Sequence, residues 1–184
     1  MLTGVKMLQG QLVCLRARLT ADVPVLHAQL HDDVASHVLT MAAPWRPISP
    51  DLENGPFSIQ QTDADLAQFS VVEVATGELA GSASLWRIDT HNRNAHIGIS
   101  LLPTARGRGL GTDAVKVLCE YGFSILGLHR LQLETASDNV AMRKTARTVG
   151  FTEEGVQRQA YWTAGRFADD VLYGLLTDEW NRPG

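Results

Sequence analysis

Between residues 106 and 112 the chain reads Arg106-Gly107-Arg108-Gly109-Leu110-Gly111-Thr112, three alternating glycines with two arginines among them. Glycine has no Cβ, so the backbone it forms can come close to a ligand. Apolar residues recur at three and four from Leu110 onward, which predicts a helix starting there. A helix start contributes unpaired N–H groups and a partial positive charge. The arginines add full charge and forked donors. Together these suit a pyrophosphate. Two common nucleotide loops do not fit. A Walker loop needs Gly-Lys, which occurs nowhere in the chain. A dinucleotide fingerprint needs a glycine where Thr112 stands, and it belongs to parallel βαβ units. The remaining pattern is Arg-x-x-Gly-x-Gly, carried by Arg106, Gly109 and Gly111.

The turn sits in a locally basic stretch. Residues 106–147 hold seven Lys or Arg against four Asp or Glu. Residues 1–105 hold six against ten, and residues 148–184 three against six. The whole chain carries a formal net charge of -4, which argues against nucleic acid as a partner. Its 184 residues suit one domain over residues 1–184. Hydrophobic residues at 45% and charged residues at 20% exclude disorder, collagen and a disulfide scaffold. No apolar run approaches the ~18 residues of a membrane span. Residues 1–9 lack a signal peptide's basic start and apolar core. A cytoplasmic location without a membrane partner is therefore expected. Cys14 and Cys119 are expected as separate buried thiols. No histidine or cysteine cluster shows metal-ligand spacing, so no metal is expected.

The elements that must position the turn are legible in outline. Residues 11–18 read as a strand. Thr20 looks like the cap of a helix running to about residue 30, with a second helix over 32–39. Residues 41–56 hold Pro44, Pro47, Pro50 and Pro56, so they read as a shaped loop. A short helix is expected near 58–65. Residues 68–75, 79–88 and 95–102 form an antiparallel meander, turning at Thr76-Gly77 and at 90–93. A helix over 110–126 follows, then a strand over 131–135 and a helix over 139–149. Phe151 begins a strand, and 157–162 pairs with 170–176 around Gly165. The expected class is α/β (α+β), with a mixed, mostly antiparallel sheet flanked by helices on both faces.

Several further segments share one resemblance with the turn. Asn94-Ala95-His96-Ile97-Gly98-Ile99, Gly127-Leu128-His129-Arg130-Leu131, Asp138-Asn139-Val140-Ala141 and Val149-Gly150-Phe151-Thr152-Glu153-Glu154-Gly155 resemble successive motifs of the GNAT acetyltransferase superfamily. The turn resembles that family's acetyl-CoA loop. Asp178-Glu179-Trp180 resembles the tail of its RimJ/RimL-type branch. The resemblance covers roughly residues 10–180.

The resemblance implies an acetyl-CoA-dependent N-acetyltransferase. Pantetheine would lie along the backbone of Ile99, Ser100 and Leu101. The amides of Arg106, Gly107, Arg108, Gly109, Leu110, Gly111 and Thr112 would cradle the pyrophosphate. An amide near Leu101 would act as oxyanion donor. Asn139 would bond the pantetheine arm, and Arg143, Lys144 or Arg147 would meet a phosphate. The acceptor would be a primary amine, either a protein N-terminus or a small molecule, and a homodimer is implied.

The chain departs from the pattern at the proton-transfer positions. Ala146 stands where many members carry a tyrosine acid, and Met142 where RimL-like members carry a serine. His96 is then a candidate base, because histidine titrates near neutrality. Tyr161 is a candidate acid, with Ser137 a third choice. Acceptor recognition is expected from the 41–56 loop, including Trp45 and Arg46, and from Trp86 and Trp162. The missing acids also fit a non-catalytic acyl-CoA-binding or sensing module, and a dinucleotide-binding enzyme is a third reading.

Overall fold

The computed structural model describes residues 8–40, 43–53, 55–59 and 63–180. The seven strands are β1 (Val13–Arg16), β2 (Leu66–Glu73), β3 (Leu79–Asp89), β4 (Asn94–Leu101), β5 (Arg130–Ala136), β6 (Thr152–Thr163) and β7 (Arg166–Leu176). They form one sheet in the order β1-β2-β3-β4-β5-β7-β6. Every pairing is antiparallel except β4 with β5. This is the mixed, mostly antiparallel sheet expected from the sequence.

Alternation along the strands decides what covers each face. Leu85, Ile97, Leu131, Leu133, Val171, Tyr173 and Leu175 are buried on one face. Helices α3 (Leu110–Glu120) and α4 (Val140–Val149) lie over it, and Ala114, Val117, Leu118, Ala146 and Val149 fill the space between. Burying each large apolar side chain contributes ~1.5–3 kcal/mol. The other face carries Ser70, Ser82, Trp86, His96 and Gln132, as register pairing requires. Helix α1 (Asp22–Leu26) meets the β1–β3 end of that face, where Asp22 accepts a hydrogen bond from Ser70 Oγ at 2.8 Å. Helix α2 (Val34–Thr40) follows a π-helical turn over residues 27–32.

Several local expectations are corrected. Thr20 does not cap α1; Ala21 occupies that position without a side-chain bond. Asp22 instead accepts from the Leu19 amide at 2.9 Å, because it is also held in a bidentate pair with Arg16 at 2.6 and 2.9 Å. Asp33 caps α2 through Ser36. Ser58, Ile59 and Asp63–Asp65 are not helical, while residues 60–62 lie outside the described residues, as do Met41, Ala42 and most of the 1–9 segment. Residues 152–163 form one strand rather than two, with register shifts between Glu153 and Gly155 and between Gln157 and Tyr161. Both cysteines are free, Cys119 buried and Cys14 half-buried. No helix among the described residues is long and apolar enough to cross a membrane.

Candidate active site

Strands β4 and β5 pair only at Asn94, Ala95 and His96. Beyond His96 they diverge, so one edge of β4 is left open. The Leu102 amide bonds the Ala80 carbonyl at 2.9 Å. Antiparallel pairs alternate between bonded and non-bonded positions. Ser100, Gly98 and His96 therefore turn their backbone groups toward β3. Ile97, Ile99 and Leu101 turn theirs into the gap. Of the three residues expected along an extended ligand, Ile99 and Leu101 have backbone groups facing the opening. Ser100 does not, because its amide and carbonyl belong to the β3 ladder. Gly81 permits this close pairing: a Cβ there would lie 2.3 Å from the Ser100 carbonyl oxygen.

The glycine turn closes the end of the gap. Gly107 and Gly109 have φ of 73° and 83°, a left-handed conformation that glycine adopts without penalty. Gly109 is the N-cap of α3 and no side chain caps the helix. The first-turn amides of Leu110, Gly111 and Thr112 are thus presented outward. The arginines act differently from the expectation. Arg106 Nε donates to the Leu101 carbonyl at 3.0 Å and its Nη2 to Ser36 Oγ at 3.2 Å. Arg108 is ion-paired with Glu73. Both guanidiniums brace the turn, leaving backbone amides as its open donors. Asp113 anchors the same helix to β1, accepting from the amides of Gln11, Leu12 and Val13 at 3.3, 2.7 and 2.9 Å.

On α4, Asn139 Oδ1 accepts from the Met142 amide at 3.1 Å. The residue is an N-cap, and only its amide nitrogen remains to donate elsewhere. Arg143 is committed inward: Nε lies 3.3 Å from Tyr173 Oη, Nη1 donates to the Ser137 carbonyl at 2.9 Å, and Nη2 faces Glu153 at 3.7 Å. These contacts make Arg143 a brace of α4, where the resemblance implied a phosphate ligand. Arg147 pairs with Glu153 at 3.3 Å. Lys144 is exposed on the outer face of α4.

The opposite wall is acidic. His96 is buried against Trp86, ring centroids 4.5 Å apart. Arg130 Nε can only donate, so the Gln132 atom 3.3 Å from it is the carbonyl oxygen. Gln132 Nε2 then donates to His96 Nε2 at 2.9 Å. This puts the imidazole proton on Nδ1, which faces Glu134 Oε1 at 3.5 Å. Burial pulls the His96 pKa below the ordinary value, and Glu134 opposes this only in part. Glu134 and Asp170 share the His96 face by the β5–β7 register. Asp170 Oδ1 is buried with no hydrogen-bond partner among the described residues. Burial and then the Glu134 charge push its pKa up. Tyr161 adjoins this wall: burial, then Asp170 and Asp138, raise its phenol pKa. Ser137 stands at the end of β5, its amide bonded to the Asp169 carbonyl at 2.8 Å.

The four acceptor candidates separate. Trp86 lies on this wall. Trp45 stacks on His31, centroids 6.2 Å apart, and donates to the His31 carbonyl at 2.9 Å. The Arg46 carbonyl contacts His31 Nε2 at 2.9 Å. Thr163 bonds the Val38 carbonyl of α2 at 3.3 Å, so its neighbour Trp162 points to the opposite sheet face. There it stands 62% exposed against Phe167, away from the acidic wall. A 530 Å³ cleft lined by Leu66, Phe69, Ile88 and Tyr121 opens elsewhere and contains none of the expected site residues.

Sequence reasoning missed Glu134, Asp170 and Gln132. The signal was available: Gln132 and Glu134 are the polar members of an alternating strand. The expectation that no histidine cluster has ligand spacing is also corrected. His27, His31 and Asp32 bring donor atoms within 4.8 Å of one another, because a π-helical turn brings residue i+5 beside residue i.

The family profile described as Acetyltransferase (GNAT) domain matches residues 13–152. A Bacillus subtilis protein that carries the provisional name ribosomal N-acetyltransferase YdaF is 35% identical over 117 residues, 64% of each chain. The spermidine N(1)-acetyltransferase of Vibrio cholerae is 31% identical over 113 residues, 61% of this chain and 65% of that one. The matched part thus spans about two-thirds or less of these relatives. A crystal structure of Vibrio cholerae spermidine N-acetyltransferase with CoA and spermine superposes with a TM-score of 0.79 at 23% identity, covering 91% of this chain and 97% of that one. At that identity the likeness speaks to the fold.

Proposed function

The chain belongs to the acetyltransferase (GNAT) family, and from that premise we propose that it transfers an acetyl group from acetyl-CoA to a primary amine. The observation that carries the reading is the open edge of β4 beside an uncapped, glycine-built helix start. The edge offers Ile99 and Leu101 backbone groups to the pantetheine arm. The amides of residues 107–112 receive the pyrophosphate. Acetyl-CoA supplies the activated thioester; this chain's residues bind, orient and move protons around it.

The amine nitrogen attacks the thioester carbonyl carbon. The Leu101 amide, aimed into the gap, stabilises the charge that develops on the carbonyl oxygen. The C–S bond breaks, the thiolate takes up a proton, and the amine nitrogen loses one. Glu134, 42% exposed at the edge of the gap, receives the amine proton through solvent. His96 is a positioning residue: its Nε2 lone pair is held by Gln132, and its Nδ1 lies 3.5 Å from the Glu134 carboxylate without a hydrogen bond among the described residues. Tyr161, whose raised pKa keeps it protonated, is the proton donor to the thiolate.

The carboxylates Glu134 and Asp170 on one wall suit a cationic acceptor, as a small polyvalent amine or a protein N-terminus would be. The spermidine acetyltransferases among the relatives support the first, and the ribosomal N-acetyltransferase name supports the second. The tail at Asp178-Glu179-Trp180 supports membership of the RimJ/RimL-type branch, and with it a cytosolic homodimer. The exposed Trp162–Phe167 pair at the β6 edge of the sheet supports self-association there.

Calorimetry with acetyl-CoA, followed by thioester consumption across an amine panel, tests the reading. The expected result is acetyl-CoA binding and turnover selective for cationic amines. A folded protein that binds no acetyl-CoA would overturn it. Ala146, fully buried where the resemblance implies a tyrosine acid, favours one competitor, a non-catalytic acyl-CoA-binding module. Tight binding with background consumption for every amine would select that competitor.

A further inference from the structure

Three histidines cluster away from the acceptor wall, at the junction of α1 and α2. His27, His31 and His37 are 1%, 2% and 4% exposed. The His27 and His31 ring centroids are 4.7 Å apart, and those of His31 and His37 are 5.2 Å apart. A backbone carbonyl only accepts, so the 2.9 Å contact to the Arg46 carbonyl puts the His31 proton on Nε2. His31 Nδ1 then carries a lone pair. It is buried and has no hydrogen-bond partner among the described residues. His27 meets the Asp32 carboxylate at 3.1 Å through Nδ1, and its Nε2 is likewise buried and without a partner among the described residues. A buried lone pair such as that of His31 Nδ1 is unfavourable when left without a partner.

We propose that His27, His31 and Asp32 bind a divalent first-row transition cation, with Zn²⁺ as its best fit. The three donor atoms lie within 4.8 Å of one another. Tetrahedral zinc at ~2.0–2.1 Å from each donor needs donor–donor edges of roughly 3.3 Å. The 3.1 Å contact between His27 Nδ1 and Asp32 already meets that edge, and the His31 donor lies within the same 4.8 Å. Two imidazoles and one carboxylate select such a cation over Mg²⁺ or Ca²⁺, which prefer all-oxygen shells. The surroundings match what metal-binding histidines use: a ring N–H held by a backbone carbonyl fixes the tautomer and raises basicity. For His31 that carbonyl belongs to Arg46.

The π-helical turn makes the site. In a 3.6-residue turn His27 and His31 share a face but Asp32 does not. An i→i+5 turn returns Asp32 beside His27. The bound ion ties the α1–α2 junction to the 43–49 loop, because His31 also stacks on Trp45 and holds the Arg46 carbonyl. It is a structural site, and it stands whether or not the acetyltransferase reading does.

The test uses the full chain without a histidine tag. Co²⁺ titration followed by visible absorption reports coordination geometry, and Zn²⁺ calorimetry reports stoichiometry. One equivalent of each is expected, with the intense visible bands of tetrahedral Co²⁺ and a rise in melting temperature on adding Zn²⁺. Asp32→Asn, at a position 54% exposed, keeps the fold and is expected to weaken Zn²⁺ at least tenfold. His31→Gln should do the same or more. The exposed pair His91→Ala and His129→Ala should leave binding unchanged. Absence of Zn²⁺ binding by the native chain, or full affinity in Asp32→Asn and His31→Gln, overturns the proposal. So does loss of binding in the His91 and His129 variants.

Discussion

Asp22 is 5% exposed and accepts from Arg16, Leu19 and Ser70. The Arg16 hydrogen bond, above all, holds its carboxyl well below the ordinary carboxylate range. Such a group contributes stability that is present above its unfolded pKa, ~3.9, and lost as pH falls toward the folded value. Asp22→Asn should therefore be strongly destabilised at pH 7, with the gap to the native chain narrowing below about pH 4. Urea denaturation at several pH values measures this, and a gap that stays constant with pH would refute it. His96 has the same direction of pH dependence for a different reason, because burial disfavours its charged form. Its lowered pKa means that the unfolded chain takes up a proton first, so its contribution is intact above ~6.5 and erodes as pH falls below that. An imidazole NMR titration should place the His96 midpoint below ~6.5. Because Glu134 is the charge that supports protonation, Glu134→Gln should move that midpoint lower still. A midpoint above the ordinary value would remove the Arg130–Gln132–His96 chain as an account of this site.

Helix α3 is the element on which the cofactor reading depends. Gly109→Val would place a β-branched residue at φ 83°, a conformation costing roughly 1–2 kcal/mol, and its Cβ would stand 3.4 Å from Leu12. Acetyl-CoA affinity should fall at least tenfold by calorimetry while far-UV circular dichroism stays native. Asp113→Ala tests the same helix from its other side. Three amides of residues 11–13 lose their acceptor, and the loss should be about 2–3 kcal/mol by chemical denaturation. The glycine turn, the meander and α3 were legible in the sequence because each is a local pattern: positive-φ residues, alternation, and three–four spacing. The acceptor wall was not, because His96, Gln132, Glu134 and Asp170 meet only through β4–β5–β7 register. Trp162 was misplaced because its sheet face depends on register shifts in β6 that no local pattern encodes. The His27–Asp32 pairing was hidden by a π-helical turn, since helical spacing was read at 3.6 residues.

Across the whole molecule, the net charge of -4 averages two regimes. The basic stretch over residues 106–147 contains the cofactor turn, yet Arg106, Arg108, Arg143 and Arg147 are each engaged by internal partners. Its positive charge therefore acts mainly as a brace, leaving backbone amides as the open donors of the proposed cofactor turn. The acidic regime is less neutralised where it matters. Glu134 and Asp170 stand diagonally on one face of β5 and β7, and burial, then repulsion from Glu134, raises the Asp170 pKa. That repulsion is relieved when an ammonium enters, so acceptor charge should govern affinity. Raising ionic strength from 0.01 to 1 M shortens the screening length from ~30 to ~3 Å. The KM for a di- or tricationic amine should then rise by a larger factor than that for a monocationic amine of similar length, and kcat should change little. The KM for acetyl-CoA should shift less than that for the polycation, because short hydrogen bonds from the turn's amides are screened less than long-range charge. Equal salt dependence for all acceptors would mean that the carboxylate wall does not read acceptor charge. Steady-state kinetics over that salt range, repeated with Asp170→Asn, separates the two outcomes: the variant should lose most of the salt dependence for the polycation while retaining turnover of the monocation.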